Sequence, residues 1–278
     1  MDRIGQFETK HFSKHRRDIA LFLSEGKRKH SVHAVLEFDV TESRRRIRSH
    51  RKRTGERLSF TGWLITCLAH TIKDHKEFNV YRHGRRKLII FDDVDVGVPV
   101  ERVVNGKHIT MAHIVRKANE KNVDEISAEI RQLQEEPVSA DTQIIGGLSR
   151  FERFVLATPG WFKKLLLVIM RRNAFMKKKH TGTVALTAIG MLGTFPGWAI
   201  PLGGTANVLV AVGGITTQPC MVEKEIQMRD VLHVTITFDH DLVDGGPLVR
   251  FTTQLSELLE SAYGLPPLDI DSSEPLGV

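Results

Sequence analysis

Apolar and polar residues alternate along residues 31–40 of the chain. The apolar positions of this segment are Val32, Ala34, Leu36, Phe38 and Val40. A two-residue period places successive side chains on opposite faces, so the pattern predicts a half-buried β-strand. The basic segment that follows, residues 41–53, predicts a helix.

A three- and four-residue period replaces the alternation after Ser59, a residue type that caps helix N-termini. The apolar positions with this period are Phe60, Trp63, Leu64, Cys67, Leu68 and Ile72. They predict a helix with one face in the core. Residues 88–100 are rich in β-formers, and Asn122 with Glu125 has the spacing of a capping box at the start of another helix. The first half of the chain is therefore predicted to alternate strands and helices.

The second half begins with a turn-rich stretch from residue 137 and continues into a basic amphipathic segment at about 155–180, which includes WFKKLLLVIMRRNAFMKKKH. Such a segment packs on its own protein or, alternatively, lies on a membrane surface or a partner. Three strand-like segments follow, at residues 183–189, 207–215 and 231–239. A final amphipathic helix is predicted to begin at Pro247. Because no repeat or low-complexity linker interrupts the chain, we predict one α+β domain over residues 1–278.

The chain is basic, with a formal net charge of +7. This charge indicates an anionic partner, which is a nucleic acid, a lipid surface or a phosphorylated cofactor, or else a solvated basic helix face. The longest aliphatic run, residues 165–170, is far shorter than the roughly 20 residues of a membrane span. The N-terminal segment lacks the pattern of a secretory signal, so a cytoplasmic location is expected. Cys67 and Cys220 lack metal-ligand spacing, and no disulfide or metal site is expected.

His240 is the strongest candidate for chemistry. It lies at the predicted end of a strand, four residues before Asp244 and Gly245, where a helix is expected to begin. A side chain at such a junction is held by rigid elements and remains accessible. Alternatively, His240 is a core histidine with satisfied hydrogen bonds, because the HxxxDG pattern is short.

Several segments of this chain resemble segments of the catalytic domain of the dihydrolipoyl acyltransferases of 2-oxoacid dehydrogenase complexes. They occur in the same order along the chain as in that family. TFDHDLVDGG resembles the family signature that ends in DHRxxDGA, and ALTAIGMLG at residues 185–193 resembles its TxSNxGxxG segment. The other matching segments are HRRDIALFLSEGK, VLEFDVTE, KEFNV, DDVDVGVPVE and DEISAEIRQL. The resemblance covers nearly the whole chain and implies the fold of the related chloramphenicol acetyltransferase, a two-layer α/β sandwich with a mixed sheet.

The resemblance implies that His240 is a general base. It would take the proton from a thiol, so that the thiolate attacks a thioester carbonyl. This assistance matters because a thiol with a pKa of about 8.5 is mostly protonated at neutral pH. Thr187 matches the family's Ser or Thr, whose hydroxyl donates a hydrogen bond to the tetrahedral oxyanion. Alternatively, Thr187 is present for its β-propensity.

Three further roles are implied for residues that support the site. Asp244 matches an aspartate that pairs with an N-terminal arginine, and Arg16 or Arg17 is the candidate partner by position. Gly245 is expected to permit a tight turn before the last helix.

Two residues depart from the family pattern. Asp241 replaces the arginine that usually follows the histidine, and an anion there is expected to raise the proton affinity of His240 if the two groups are close. Ala188 replaces the asparagine that usually follows the oxyanion residue.

The resemblance implies coenzyme A as a substrate, no metal, and a homotrimer whose active sites combine His240 and Thr187 from different chains. No lipoyl-bearing domain is recognisable, so a lipoyl group would be supplied in trans by another protein. A larger cage and a nucleic-acid partner are not expected.

Three functions follow from the sequence. The first is acyl transfer between coenzyme A and a dihydrolipoyl group. The second is transfer from acyl-CoA to a small non-lipoyl acceptor. The third is a non-catalytic trimeric scaffold or anchor that docks through residues 155–180, with a membrane surface as one possible partner.

Overall fold

The computed structural model describes residues 5–104, 107–135, 158–192 and 195–268. A six-stranded sheet has the order β1-β8-β7-β6-β4-β5. Its strands are β1 (Ser31–Asp39), β4 (Val96–Val104), β5 (Lys107–Val115), β6 (Val184–Ala188), β7 (Val208–Val222) and β8 (Glu225–Asp239). Strand β6 runs parallel to both β4 and β7, whereas the other pairs are antiparallel. Strands β2 (Val80–His83) and β3 (Lys87–Ile90) form a separate hairpin.

Seven α-helices lie within the described residues. They are α1 (Lys14–Leu23), α2 (Thr41–Thr54), α3 (Phe60–Asp74), α4 (Val123–Glu135), α5 (Gly160–Arg172), α6 (Ala174–Thr181) and α7 (Gly245–Glu260). Ser59 caps α3 by accepting a hydrogen bond from Gly62 N, at 3.1 Å. Asn122 and Glu125 form the predicted reciprocal cap of α4, with both hydrogen bonds at 2.9 Å. Both helix starts are confirmed.

The core lies between one face of the large sheet and helices α3, α4 and α7. Phe78, Phe238 and Phe251 meet there, with the Phe78 and Phe251 ring centroids 4.4 Å apart. Trp63 is fully buried and satisfies its indole by donating to Tyr263 O, at 3.0 Å. The two layers and the mixed sheet confirm the predicted α+β architecture.

The opposite face of β8 is partly covered by the segment before β7. The Trp198 ring packs edge-on against His233, with centroids 4.3 Å apart, and its indole donates to Leu36 O. His233 in turn contacts Gly214 O through Nδ1, at 3.1 Å. This coverage explains why both faces of β8 are buried from Val231 onward.

Three glycines permit a close backbone approach next to β6. A Cβ on Gly190 would lie 1.7 Å from Gly213 O, and one on Gly214 would lie 1.4 Å from Phe195 O. The register of β7 against β8 shifts at this point, between Val212 and Ile215. The ALTAIGMLG segment therefore requires glycine at position 190 for packing.

The structure corrects several predicted boundaries. The last helix begins at Gly245 rather than Pro247, and β7 and β8 extend past the predicted limits into one long hairpin. The basic amphipathic segment forms two helices separated at Asn173, whose side chain caps α6. The turn-rich stretch predicted from residue 137 lies, as far as residue 157, outside the described residues.

Candidate functional site

Backbone hydrogen bonds fix the turn that carries His240. Asp239 N donates to Asn207 O at 3.2 Å, and His240 N donates to His30 O at 3.0 Å. The Asp239 side chain accepts from Asp241 N, and Asp239 O accepts from Leu242 N at 3.0 Å and from Val243 N at 3.2 Å. The end of β8 is thus held between two distant segments, which makes the position of His240 a rigid feature of the fold.

The His240 side chain is accessible yet oriented. Its ring lies at an angle of 29° to the Phe238 ring, with centroids 6.2 Å apart, and 48% of the side chain is exposed. Nδ1 faces Asp244 Oδ1 at 3.9 Å, too far for a hydrogen bond but close enough for an electrostatic contact.

Asp244 and Gly245 are placed differently from the sequence-based expectation. Asp244 is the N-cap residue of α7, and its side chain is 86% exposed. Gly245 has no left-handed φ, and a Cβ there would meet open space, so the expected need for a tight-turn glycine is wrong.

The predicted ion pair between Asp244 and Arg16 or Arg17 is absent from the described residues. An ion pair between Lys163 Nζ and Asp18 Oδ2, at 2.6 Å, joins α1 to α5. The side chains of Arg16 and Arg17 are exposed. The structure therefore does not bring either arginine to the carboxylate within one chain.

Asp241 does not act on His240 as expected. Its carboxylate bonds to His30 Nδ1 at 2.8 Å and to Arg82 at 3.2 Å. The hydrogen bond that Asp241 accepts from His30 raises the pKa of His30, and the same bond lowers the pKa of Asp241. Asp241, which replaces the arginine usual in the family, thus links the segments of His30 and Arg82 beside the turn that carries His240.

Thr187 lies on the sheet face opposite the core, since its neighbours Leu186 and Val184 are buried in the core. Thr187 on β6 pairs with Ala211 on β7, which pairs with Thr235 on β8. Thr187 is therefore level with Thr235, which lies five positions before His240. With about 3.3 Å per residue and about 4.8 Å per strand, the two residues are roughly 19 Å apart in one chain. One chain therefore cannot present both side chains to a single carbonyl group.

A cavity of about 110 Å³, lined mostly by polar and charged residues, lies beside the turn that carries His240. The sequence did not predict this cavity. We call it the Lys29 cavity; its lining includes Lys29, Tyr81, Lys177, Asn207 and Asp239. Burial, together with the charge of Lys177, lowers the pKa of Lys29 to about 7. Burial likewise lowers the pKa of Lys177. No short motif marks this cavity because its residues come from five separate segments.

Comparison with known proteins supports the resemblance seen in the sequence. The family model for the catalytic domain of 2-oxoacid dehydrogenase acyltransferases matches residues 5–142 and 170–265. The acetyltransferase component of the pyruvate dehydrogenase complex of Mycoplasma capricolum is 22% identical over 226 residues, which are 80% of this chain and 43% of the relative. The chain thus spans less than half the length of the curated relatives it matches.

Two solved structures share the fold. A probable dihydrolipoamide acetyltransferase of Listeria monocytogenes superposes with a TM-score of 0.69 at 18% identity, covering 99% of this chain and 100% of the other. The dihydrolipoamide acetyltransferase of Azotobacter vinelandii, studied for the catalytic roles of a serine, a histidine and an asparagine, gives 0.67 at 16% identity, with 93% of each chain covered. The family match extends over most of this chain, which therefore belongs to the 2-oxoacid dehydrogenase acyltransferases and contains their catalytic domain.

Proposed function

We propose that the protein transfers an acyl group between coenzyme A and a dihydrolipoyl group carried by another protein, with His240 as general base. The observation that carries the proposal is the accessible His240 at the end of β8, with Nδ1 3.9 Å from Asp244 Oδ1, in a chain of this family. The Azotobacter protein adds support from spacing. Its histidine follows the serine by about fifty positions and precedes the asparagine by four, and the spacing of Thr187, His240 and Asp244 is similar.

The proposed reaction uses the geometry as follows. Nε2 of His240 takes the thiol proton, and the thiolate forms a bond to the thioester carbonyl carbon. The carbonyl oxygen becomes an oxyanion that accepts a hydrogen bond from the Thr187 hydroxyl of a neighbouring subunit. When the original carbon–sulfur bond breaks, the imidazolium returns its proton to the leaving thiolate. The separation of roughly 19 Å within one chain supports the expected trimer, because a second copy must supply Thr187.

Thiol release from a panel of acyl-CoAs, with and without dihydrolipoamide, tests this function. We expect native transfer to require the acceptor and His240→Ala to lower the rate by about 100- to 10,000-fold. His11→Ala, an exposed histidine on the N-terminal segment, is the matched control and should leave the rate unchanged. A small non-lipoyl acceptor becomes the better assignment if only a broader acceptor panel supports transfer. Equal rates for native protein and His240→Ala would refute the base assignment.

A second candidate function, docking on an anionic membrane surface, is favoured by helix α5. One side of α5 packs on α1, yet the opposite side exposes Trp161, Leu165, Val168 and Ile169, with Trp161 68% exposed. The exposed side chains of Lys164 and Arg172 lie beside this apolar stripe, which complements anionic lipid. Most of α5 falls in the stretch that the family model does not match. No described helix has both the length and the hydropathy of a membrane span.

Co-sedimentation with vesicles of anionic or neutral lipid tests the docking function. Native protein should bind anionic vesicles at low salt and dissociate as salt screens the basic residues. Trp161→Ser should weaken binding at least about tenfold, because it removes the largest exposed apolar side chain of α5. Val249→Ser, an exposed apolar residue on α7, is the control. Absence of binding to anionic vesicles at low salt would eliminate this function.

The cytoplasmic location remains a prediction.

A further inference from the structure

Most charges around the Lys29 cavity are already paired. Glu25 accepts from Arg171 at 2.9 Å and lies 3.6 Å from Arg28. Asp241 is engaged by His30 and Arg82, as described above. The carboxylates of Glu25 and Asp241 are therefore balanced by neighbouring cations. The charged residues of the lining that remain are Lys29, Lys177 and Asp239.

Inside the cavity, two ammonium groups face one carboxylate. Lys29 and Lys177 both interact electrostatically with Asp239, which is buried. The Lys29 ammonium donates to Ala206 O, and the Lys177 ammonium lies 4.8 Å from the centre of the Tyr81 ring. A carbonyl and an aromatic face satisfy cations only in part. When both lysines are protonated, they therefore carry one positive charge more than Asp239 balances.

The Asn207 amide is a second group beside the cavity whose interactions within the chain are incomplete. Asn207 is only 3% exposed, and neither Nδ2 nor Oδ1 has a hydrogen-bond partner among the described residues. Buried amides are nearly always bonded, because an unsatisfied one loses its hydration without compensation. Asn207 is one of the residues that line the cavity, so its unsatisfied amide lies next to the space that a ligand would occupy.

We propose that the Lys29 cavity binds a small oxyanion, a carboxylate or phosphate group, through the ammonium groups of Lys29 and Lys177 and the amide of Asn207. Charge-assisted hydrogen bonds from two lysines and one neutral donor suit such a group. The volume of about 110 Å³ accommodates a few heavy atoms rather than a whole cofactor. One wall is the turn that positions His240, so the anion would be the charged end of an acyl group or acceptor; this last step rests on the proposed acyl transfer.

Isothermal titration with succinate and with inorganic phosphate tests the site in the absence of acyl-CoA. Lys29→Met and Lys177→Met should each weaken binding at least about tenfold, since each removes one charged donor. Lys27→Met and Lys179→Met are matched controls on the same segments, where both side chains are exposed. Lys177→Arg should retain binding because it keeps the charge. Tighter binding of succinate would assign a carboxylate ligand, and tighter binding of phosphate a phosphate group.

Native protein alone provides a second test that does not depend on the folding of any variant. Lys29 is mostly neutral above pH 7 in the empty site, so anion binding must be coupled to proton uptake. Succinate affinity should fall about tenfold or more from pH 6.5 to pH 8.5. The groups that face Lys29 are Lys177, Asp239 and Glu25.

The proposal is overturned if neither anion binds, if the controls lose as much affinity as the cavity variants, or if affinity is independent of pH. Because these titrations contain no thioester, a negative transfer assay does not affect their interpretation. Conversely, a positive transfer assay does not rescue the cavity assignment.

Discussion

Two inactive variants of this protein should restore each other's activity when they assemble in one trimer. Thr187→Ala removes the proposed oxyanion donor and should cost about 100- to 1,000-fold in rate. His240→Ala removes the proposed base. Because the two positions are roughly 19 Å apart in one chain, the proposed active site would combine residues of different subunits. A mixed trimer therefore contains sites in which both residues are intact.

The expected gain follows from counting sites. In a ring-shaped trimer, each chain supplies its histidine to one neighbour and its threonine to the other. When the two variants are co-expressed equally and assemble at random, about one quarter of sites combine two intact residues. The mixture should thus recover about one quarter of the native rate, far above either variant alone.

A calibrating mixture separates a shared site from a site within one chain. Native chains co-expressed with the double variant should show about one quarter of the native rate if sites are shared, but about one half if each chain is self-sufficient. Thiol release with dihydrolipoamide measures the rate, and light scattering confirms the trimer. A co-expressed pair of single variants that is no more active than its separate parents, while trimeric, would refute the reasoning.

Other predictions concern stability and charge. Gly190→Ala should lower Tm by at least about 5 °C, because the added Cβ would collide with the backbone of Gly213. Gly245→Ala, where the added Cβ meets open space, should change Tm little. Equal shifts of the two variants in thermal denaturation would contradict the packing argument. Asn122→Ala should cost about 1 kcal/mol in urea unfolding by removing a helix cap, and no loss would mean that the cap is dispensable. Asp241→Asn should return the raised pKa of His30 towards its ordinary value in an NMR titration. The pair stabilises the fold while both groups are charged, and this contribution disappears as pH rises through the His30 pKa; an unchanged titration would refute the pairing.

Local signals predicted the elements that depend on neighbouring residues. Ser59 and Asn122 mark helix starts because a cap bonds within one turn of the chain. His240 and Asp244 are four positions apart across one turn, so their contact is also local, although Asp244 was expected to pair with an N-terminal arginine instead. These features required no knowledge of the fold.

Features assembled from distant segments were not predictable in this way. Asp241 was expected to affect the adjacent His240, but the topology brings His30 and Arg82 to its carboxylate. The Lys29 cavity likewise depends on contacts across more than one hundred residues, as the bond from Lys29 to Ala206 shows. The long β7–β8 hairpin was missed because Pro219 and the charged residues of its distal part interrupt the strand pattern.

The strand order has a consequence for synthesis on the ribosome. In the described sheet, β1 pairs only with β8, and the pairing of Ser31 with Asp239 joins opposite ends of the domain. At about 5–20 residues per second, roughly 10 to 40 s separate the emergence of β1 from that of its partner. During that interval β1 has an unpaired edge, and nascent chains that stop before β8 lack the strand to which both β1 and β7 bind. Productive folding of the sheet is therefore expected to begin late in translation, and the yield should depend on protection of the unfinished chain.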